Sequence, residues 1–340
     1  MSVEELRETV RAGGLLGSTQ PLVAMLSGGR DSVCLLDVAV ALRGADAVHA
    51  LHVNYGLRAS ADAEQRHCAA LCERLGVALD VVRAERSTRA AGDVSESTGA
   101  PASPGSSEGN LQAWAREVRY AAAHALASEH DALIASGHTA SDQVETILYR
   151  LAASPGRRAL LGMAAVEGAL VRPLLGVTRE QTAAYCEARG LGWCEDESNA
   201  DQRYARVRVR ERVVPALRAV HPAAESNVLR TALLLREETE LLDGLVADEL
   251  AGRAAISLAR LRELPSALAR LIVIRLAEDA AGTYVPQAGE RVAELLALGE
   301  RGGRAELHVG GQACAVIDAG ALSMRRLAPR DAREAPPGED

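Results

Sequence analysis

The stretch LVAMLSGGRDS (22–32) places an apolar run directly before two glycines and a group of polar residues. The apolar run predicts a buried strand, and the pattern over about 31–43 predicts a helix. Two glycines let the backbone turn tightly and approach an anion without a Cβ atom, and a helix N-terminus attracts negative charge. The stretch therefore predicts a phosphate-binding loop, with an ordinary glycine-rich turn as the alternative. Its six residues are Ser27, Gly28, Gly29, Arg30, Asp31 and Ser32.

Asp31 has two candidate roles within this loop. It follows the second glycine at the predicted helix start, where a carboxylate complements the helix dipole. A carboxylate is also the ligand that hard cations such as Mg²⁺ prefer. Asp31 is therefore a candidate Mg²⁺ contact.

Strands and helices alternate through the first half of the chain. Such alternation is typical of parallel βαβ units and predicts an α/β fold with a Rossmann-like parallel sheet. The predicted strands cover 22–26, 48–53, 78–82 and 132–136, and the predicted helices about 31–43, 60–75, 109–129 and 140–152. An all-helical fold is the alternative, and Val, Ile and Leu bounded by Gly, His or Asp argue against it.

The remaining segments predict the domain organisation. Residues 1–215 form the predicted nucleotide-binding domain, with a Ser-, Gly-, Ala- and Pro-rich insertion over 87–109 that we expect to be mobile. Residues 216–300 read as a helical domain without strands, 301–328 as a small β-containing segment, and 329–340 as a disordered tail.

The composition excludes several classes of enzyme. Lysine is absent, so all 38 basic residues are arginine, and the net charge is −8. Without lysine the chain cannot build a Walker A loop, a protein-kinase site or a pyridoxal Schiff base. The six cysteines show no CxxC spacing, and no run of 18 apolar residues or signal peptide is present, so we expect a cytoplasmic protein with no membrane segment.

The loop SGGRDS resembles the SGGxDS loop of the N-type ATP pyrophosphatases, which lacks lysine. Members of this superfamily cleave ATP between the α- and β-phosphates and form an adenylated intermediate. The resemblance implies a nucleotide bound at the carboxyl ends of a parallel sheet.

Further segments resemble one member family, the tRNA(Ile)-lysidine synthases, in the same order along about 22–215. These segments are HVNYGLR (52–58), NLQAWAREVRY (110–120), GHTASDQVET (137–146), VRPLL (171–175), WCEDESN (193–199) and YARVRVR (204–210). The chain departs from the family patterns at Tyr55, Thr139, Ser141 and Val207.

Two pairs within these segments have chemistry of their own. Arg116 and Arg119 are three residues apart on one helix, and so are Asp142 and Glu145, so each pair shares a face. Paired guanidiniums suit phosphate recognition, and paired carboxylates can hold an ammonium and accept its proton. The alternatives are a solvated face for the arginines and helix-dipole partners for the acids.

The resemblance implies specific roles. It places His52, Arg58 and His138 at the nucleotide with the loop, and makes Asp31, Arg116, Asp142 and Glu145 catalytic. Lysine binding falls to Asp142, Glu145 and Arg206. Six arginines and one acid between 203 and 218 suit tRNA phosphates, and Arg119, Arg208, Arg210 and Arg212 are the predicted contacts.

The implied reaction is ATP-dependent addition of L-lysine to the wobble cytidine of an isoleucine tRNA with a CAU anticodon, with Mg²⁺ as cofactor. The resemblance leaves open whether the chain forms a homodimer. The alternatives are a tRNA-thiolating enzyme, for which Cys68 and Cys72 have the wrong spacing, an amidotransferase-type synthetase, for which no suitable N-terminal cysteine precedes the loop, and a non-catalytic nucleotide- or tRNA-binding protein.

Overall fold

The computed structural model describes residues 1–57, 60–84, 107–154, 156–195 and 203–328. Arg58, most of the predicted insertion at 87–109, and the predicted tail at 329–340 lie outside these residues. The described chain forms two compact units that divide between Leu235 and Arg236. The boundaries that the sequence suggests, at 215 and 300, stay predictions.

A six-stranded sheet organises the first unit. Its strand order is β3-β2-β1-β4-β6-β5, parallel throughout except for the β5–β6 pair. The strands are β1 (Leu22–Met25), β2 (Val48–Asn54), β3 (Ala78–Arg83), β4 (Leu133–Ala135), β5 (Val166–Glu167) and β6 (Leu170–Val171). The four predicted strands are confirmed, and the sequence reading missed β5 and β6, each of two residues.

Helices cover both faces of this sheet, as buried parallel strands require. They are α1 (Val3–Ala12), α2 (Arg30–Arg43), α3 (Ala61–Leu75), α4 (Ser107–Glu129), α5 (Ala140–Ala153), α6 (Arg157–Leu160) and α7 (Arg179–Ala188). One hydrophobic core includes α2, α3 and α7, and a separate core includes residues of α4. The predicted α/β fold with a parallel sheet is confirmed.

The order of the strands positions the site. The chain runs outward from β1 through β2 to β3 and then returns to β4, on the other side of β1. The strand order therefore reverses between β1 and β4. In open α/β sheets, ligands bind at the carboxyl ends of the strands at such a point.

Short helices connect the sheet to a long one. The short elements are α8 (Ala205–Arg208), a π-helical turn (Val209–Val213) and α9 (Val214–Val220), and the long helix is α10 (Ala224–Leu250). Val209 and Val214 pack with Val144 of α5 in a small core of their own. This packing fixes the arginine-rich segment against α5.

The second unit contains a four-stranded antiparallel sheet, β7-β10-β9-β8. Its elements are β7 (Ala255–Ser257), α11 (Leu258–Glu263), α12 (Ser266–Ala281), a 3₁₀ turn (Pro286–Arg291), α13 (Val292–Glu300), β8 (Ala305–Gly310), β9 (Ala313–Asp318) and β10 (Ala321–Arg326). These helices and strands share one hydrophobic core.

The expectation of helices without strands over 216–300 is wrong at one place. Residues 255–257 form β7, which pairs with β10 more than sixty residues later. Three residues are too few to show an alternating pattern, so their pairing depends on the distant partner. Among the described residues, no helix is long and apolar enough to cross a membrane.

Candidate functional site

Hydrogen bonds from its own serines fix the conformation of the loop between β1 and α2. Gly28 has a φ of +84°, a conformation that favours glycine. The hydroxyl of Ser32 donates to the Gly29 carbonyl at 2.7 Å and accepts from the Ser27 amide at 3.2 Å. The Ser27 hydroxyl accepts from the Gly29 amide at 3.3 Å. The hydroxyl groups of Ser27 and Ser32 therefore fix the conformation of the loop.

The loop ends at a helix whose first turn lacks a cap. Gly29 is the N-cap of the 14-residue α2, and no described side chain forms a capping hydrogen bond there. The first N–H groups of a helix have no partner within the helix and attract anions. The loop is anchored from outside by the Cys194 amide, which donates to the Gly28 carbonyl at 2.9 Å. This geometry suits a phosphate.

Asp31 lies on the first turn of α2, as predicted. Its carboxylate accepts a hydrogen bond from the Thr182 hydroxyl and lies 3.4 Å from Arg30 Nε. Burial raises the pKa of Asp31, while Thr182 and Arg30 oppose the shift. No group of three metal-ligating residues occurs in the described part of the chain. A single carboxylate fits Mg²⁺ bound jointly by protein and nucleotide phosphates rather than by protein alone.

The loop after β4 contributes His138. Its Nδ1 lies 2.8 Å from the Ser136 hydroxyl. Burial lowers the pKa of His138 to about 4, and the charges of Arg172, Arg116 and Arg119 act in the same direction. The charge of Asp142 opposes this lowering of the pKa, so His138 lies between a carboxylate and several guanidiniums.

The acidic pair lies on the first turns of α5, beside this loop. Thr139 caps the helix, and Asp142 Oδ2 accepts from the amide and hydroxyl of Thr139 at 2.8 and 2.7 Å. Asp142 Oδ1 accepts from Arg179 at 2.8 Å. Both oxygens of Asp142 are thus hydrogen-bonded, one to its own helix start and one to α7.

Glu145 is the more buried of the two acids, with 6% of its side chain exposed. Its Oε1 accepts from Arg179 Nη1 at 3.1 Å and from Arg210 Nε at 3.0 Å. Burial raises the pKa of Glu145, although the two guanidiniums oppose the shift. The sequence prediction that both acids face one site agrees with their shared contact to Arg179.

The predicted arginines of α4 lie near His138. The Arg116 guanidinium is 4.6 Å from the centre of the Tyr120 ring, and that of Arg119 is 5.7 Å away. Arg119 Nε is buried and has no hydrogen-bond partner in the part of the chain that the structure describes. Both charges lower the pKa of His138, so they act on the same region as the loop after β4.

His52 is almost fully buried near the end of β2. Its Nδ1 lies 2.9 Å from the carbonyl of Leu26, the residue after β1, and its Nε2 is buried with no hydrogen-bond partner among the described residues. Its predicted nucleotide contact stays a prediction. The predicted nucleotide contact of Arg58 involves a residue outside the described part of the chain.

The arginine-rich segment divides between the site and the surface. Arg210 contacts Glu145, although the sequence reading assigned it to tRNA. Arg206, predicted to bind lysine, is exposed, as are Arg208 and Arg212. Their roles toward lysine and tRNA stay predictions. The π-helical turn contains Arg210, and such turns often occur at functional sites.

The four departures from the family patterns each have a structural role. Tyr55 donates to the Ala115 carbonyl at 2.9 Å. Thr139 caps α5, and Ser141 accepts from the Arg179 amide at 3.1 Å. Val207 is buried. Three of these four side chains thus hydrogen-bond within the first unit, and the fourth is buried.

The sequence reading missed Arg179 and Thr182. They occupy the first turn of α7, whose start is marked by a capping box between Thr178 and Gln181. A capping box predicts a helix start, but no local pattern indicates that this helix reaches Asp31, Asp142 and Glu145.

Together, the sheet order and the loop define a class of protein. An uncapped helix N-terminus after a glycine-rich turn, at the point where a parallel sheet reverses its strand order, characterises α/β proteins that bind phosphorylated ligands. A family model described as a PP-loop domain matches residues 3–217. The chain belongs to the PP-loop family.

Several curated proteins are similar to this chain. The tRNA(Ile)-lysidine synthase of Pseudomonas fluorescens (strain Pf0-1) is 38% identical over 242 residues, 69% of this chain and 50% of that protein. That of Methylococcus capsulatus (strain ATCC 33009 / NCIMB 11132 / Bath) is 37% identical over 281 residues, 80% and 57% of the two chains. That of Escherichia coli O157:H7 is 38% identical over 244 residues, 70% and 52%. The chain spans about half the length of the curated relatives it matches.

A solved structure shares the fold. A U34-tRNA thiolase from Methanococcus maripaludis superposes with a TM-score of 0.53 over 69% of this chain and 78% of that one, at 17% identity. At this identity the similarity concerns the fold alone.

Proposed function

We propose that this chain is an ATP-dependent ligase that adds L-lysine to C2 of the wobble cytidine in an isoleucine tRNA with a CAU anticodon. The observation that carries the proposal is the proximity of an anion-binding loop to an acidic pair. Arg179 contacts Asp31 of the loop and both Asp142 and Glu145. The name shared by its relatives, tRNA(Ile)-lysidine synthase, supports the same reaction.

The first step would adenylate the tRNA. The C2 oxygen of the cytidine attacks the α-phosphate of ATP, a phosphorus–oxygen bond forms, and pyrophosphate leaves. The loop at Ser27–Ser32 would bind the phosphates through N–H groups at the start of α2. Arg116 and Arg119 would stabilise the developing negative charge. The base has to leave its stack to reach this site.

Asp31 would hold Mg²⁺ in this arrangement. When bound, the ion neutralises charge on the transferring phosphates. The hydrogen bond from Thr182 fixes the Asp31 carboxylate at the first turn of α2, next to the loop.

The second step would transfer the amine. The lysine ε-nitrogen attacks C2, a carbon–nitrogen bond forms, and the carbon–oxygen bond to AMP breaks. The ammonium has to lose a proton before it can attack. Glu145 suits this task because burial raises the pKa of its carboxyl group toward that of a useful base. Asp142 would hold the ammonium. ATP and tRNA are cytoplasmic substrates, and we place the protein there.

The test is ATP-dependent incorporation of labelled lysine into a transcript of the CAU isoleucine tRNA, with the CAU methionine tRNA as control. We expect label in the isoleucine tRNA alone, together with release of AMP. An absence of label from a folded protein that binds ATP would overturn the proposal.

Variants of the acidic pair locate the amine step. Asp142→Asn and Glu145→Gln should abolish lysine transfer while adenylation, measured as pyrophosphate release, continues. Glu187→Gln, an exposed acid on α7, is the matched control and should transfer lysine at the wild-type rate. Wild-type rates in both site variants would remove these residues from the mechanism.

A further inference from the structure

Arg179 joins the two halves of the proposed site. Its Nη2 lies 2.8 Å from Asp142 Oδ1 and its Nη1 lies 3.1 Å from Glu145 Oε1. Its Nε lies 3.9 Å from Asp31 Oδ2, on the phosphate loop. The guanidinium thus occupies the position at which an ammonium ligand would contact both acids.

The described side chains of this cluster form ion pairs with one another. Three carboxylates, those of Asp31, Asp142 and Glu145, face three guanidiniums. These guanidiniums belong to Arg30, Arg179 and Arg210. Both acids of the pair are already ion-paired by arginine, so an ammonium would have to compete with the Arg179 guanidinium for them.

Arg179 is held in this position by electrostatics. With 21% of its side chain exposed, burial alone would lower its pKa. The charges of Asp142, Glu145 and Asp31 outweigh burial and raise the pKa of Arg179. A second group of anions within reach lowers the energy needed to move the guanidinium away from these carboxylates.

Nucleotide phosphates are such anions, and they would arrive at the loop that contains Asp31. Arginine binds phosphate oxygens in the same forked geometry as carboxylates. Arg179 already extends to the loop through its Nε, so a change in its side-chain torsions brings the guanidinium to the phosphates.

We propose that Arg179 is a positioning residue that occupies the amine site in the absence of nucleotide and moves to the phosphates when nucleotide binds. Its departure frees Asp142 and Glu145 for the ammonium. Nucleotide binding and amine binding are therefore positively coupled through one side chain. This inference rests on the proposed function, since it takes the acidic pair as the site for lysine.

The test measures the affinity of the full chain for L-lysine by calorimetry, with and without a non-hydrolysable ATP analogue and Mg²⁺. We expect the analogue to tighten lysine binding about tenfold or more, and lysine to tighten analogue binding by the same factor, because coupling between two ligands is reciprocal. If the wild-type protein binds lysine with the same affinity in the presence and absence of the analogue, this result alone overturns the inference.

The variant Arg179→Met removes the charge and keeps a long side chain. In this variant lysine should bind equally well with and without the analogue. Arg11→Met is the matched control, because Arg11 lies in the same unit and pairs with Glu8 rather than with the site. It should retain the wild-type coupling, and thermal denaturation checks that each variant is folded.

The outcomes separate this inference from the proposed function. Undiminished coupling in Arg179→Met would overturn the role of Arg179 while leaving lysine as the ligand. An absence of lysine binding in every protein, with and without analogue, would overturn both.

Discussion

A Cβ atom on Gly137 would lie 3.0 Å from the carbonyl oxygen of Asp31 and 3.1 Å from the amide nitrogen of Ser32. Gly137 follows β4 and Asp31 lies in the first turn of α2, so the chain segments after β1 and β4, at the point where the strand order reverses, are in backbone contact. This contact brings the phosphate loop beside the start of α5, where the acidic pair lies.

The Gly137→Ala variant should separate these loops. Backbone atoms cannot move away as a flexible side chain does, so we expect overpacking to cost about 1–3 kcal/mol of unfolding free energy. We also expect weaker binding of ATP. Gly176→Ala, which has no atom within 4 Å of its new Cβ, is the control. Urea denaturation and nucleotide titration of both variants test the prediction. Equal unfolding free energies and equal ATP affinities in the two variants would contradict it.

Ser32→Ala should weaken nucleotide binding through the shape of the loop. The Ser32 hydroxyl connects the Gly29 carbonyl to the Ser27 amide, and its loss leaves both groups without this partner. We expect the affinity for ATP to fall about tenfold, since breaking such a network costs about 1–3 kcal/mol. Ser266→Ala, at an exposed position, should bind ATP as the wild type does. An unchanged affinity in Ser32→Ala would show that the loop keeps its shape without the hydroxyl.

The half-buried His138 makes stability depend on pH. Its folded pKa of about 4 lies below the ordinary value of 6.5, so the unfolded chain binds more protons between these values. The stability contribution is complete above about pH 6.5 and falls by up to about 3 kcal/mol as the pH approaches 4. His138→Gln should therefore show a flatter profile over this window. Exposed His124→Gln should keep the wild-type slope, and a wild-type slope in His138→Gln would refute the assignment.

Asp37 should be a major contributor to the stability of the first unit. It is buried on α2 and accepts hydrogen bonds from Tyr185 at 2.6 Å and from Arg189 at 3.1 Å. Asp37→Asn leaves those donors without a charged acceptor. We expect a loss of about 3 kcal/mol of unfolding free energy at neutral pH, measured by urea denaturation.

The effect of Asp37 should disappear in acid. Burial by itself would raise the pKa of Asp37, but hydrogen bonds from Arg189 and Tyr185 outweigh it and lower the pKa below 3.8. The contribution is present above pH 3.8 and is lost as the pH falls through the lower folded value. Exposed Asp46→Asn is the control and should differ little from wild type at any pH. A deficit in Asp37→Asn that persists below this window would contradict the assignment.

The sequence predicted those features that neighbouring residues decide. Apolar runs bounded by glycine or polar residues marked the four longer strands of the six-stranded sheet. The two glycines before Asp31 marked the loop. The spacing of Asp142 and Glu145 put both on one face of α5, because residues three apart on a helix are neighbours whatever surrounds them. Local conformation and side-chain spacing suffice for such features.

The tertiary structure decided which distant residues meet these local features. Arg179 reaches Asp142 from 37 positions along the chain, and Arg210 reaches Glu145 from 65. Strand β7 exists because β10 pairs with it. Such contacts depend on how α5, α7 and the π-helical turn pack, and that packing is determined by side-chain volumes throughout the core rather than by any local pattern. The sequence by itself therefore determined a phosphate loop and an acidic pair, and only the packed structure determined that one arginine connects them.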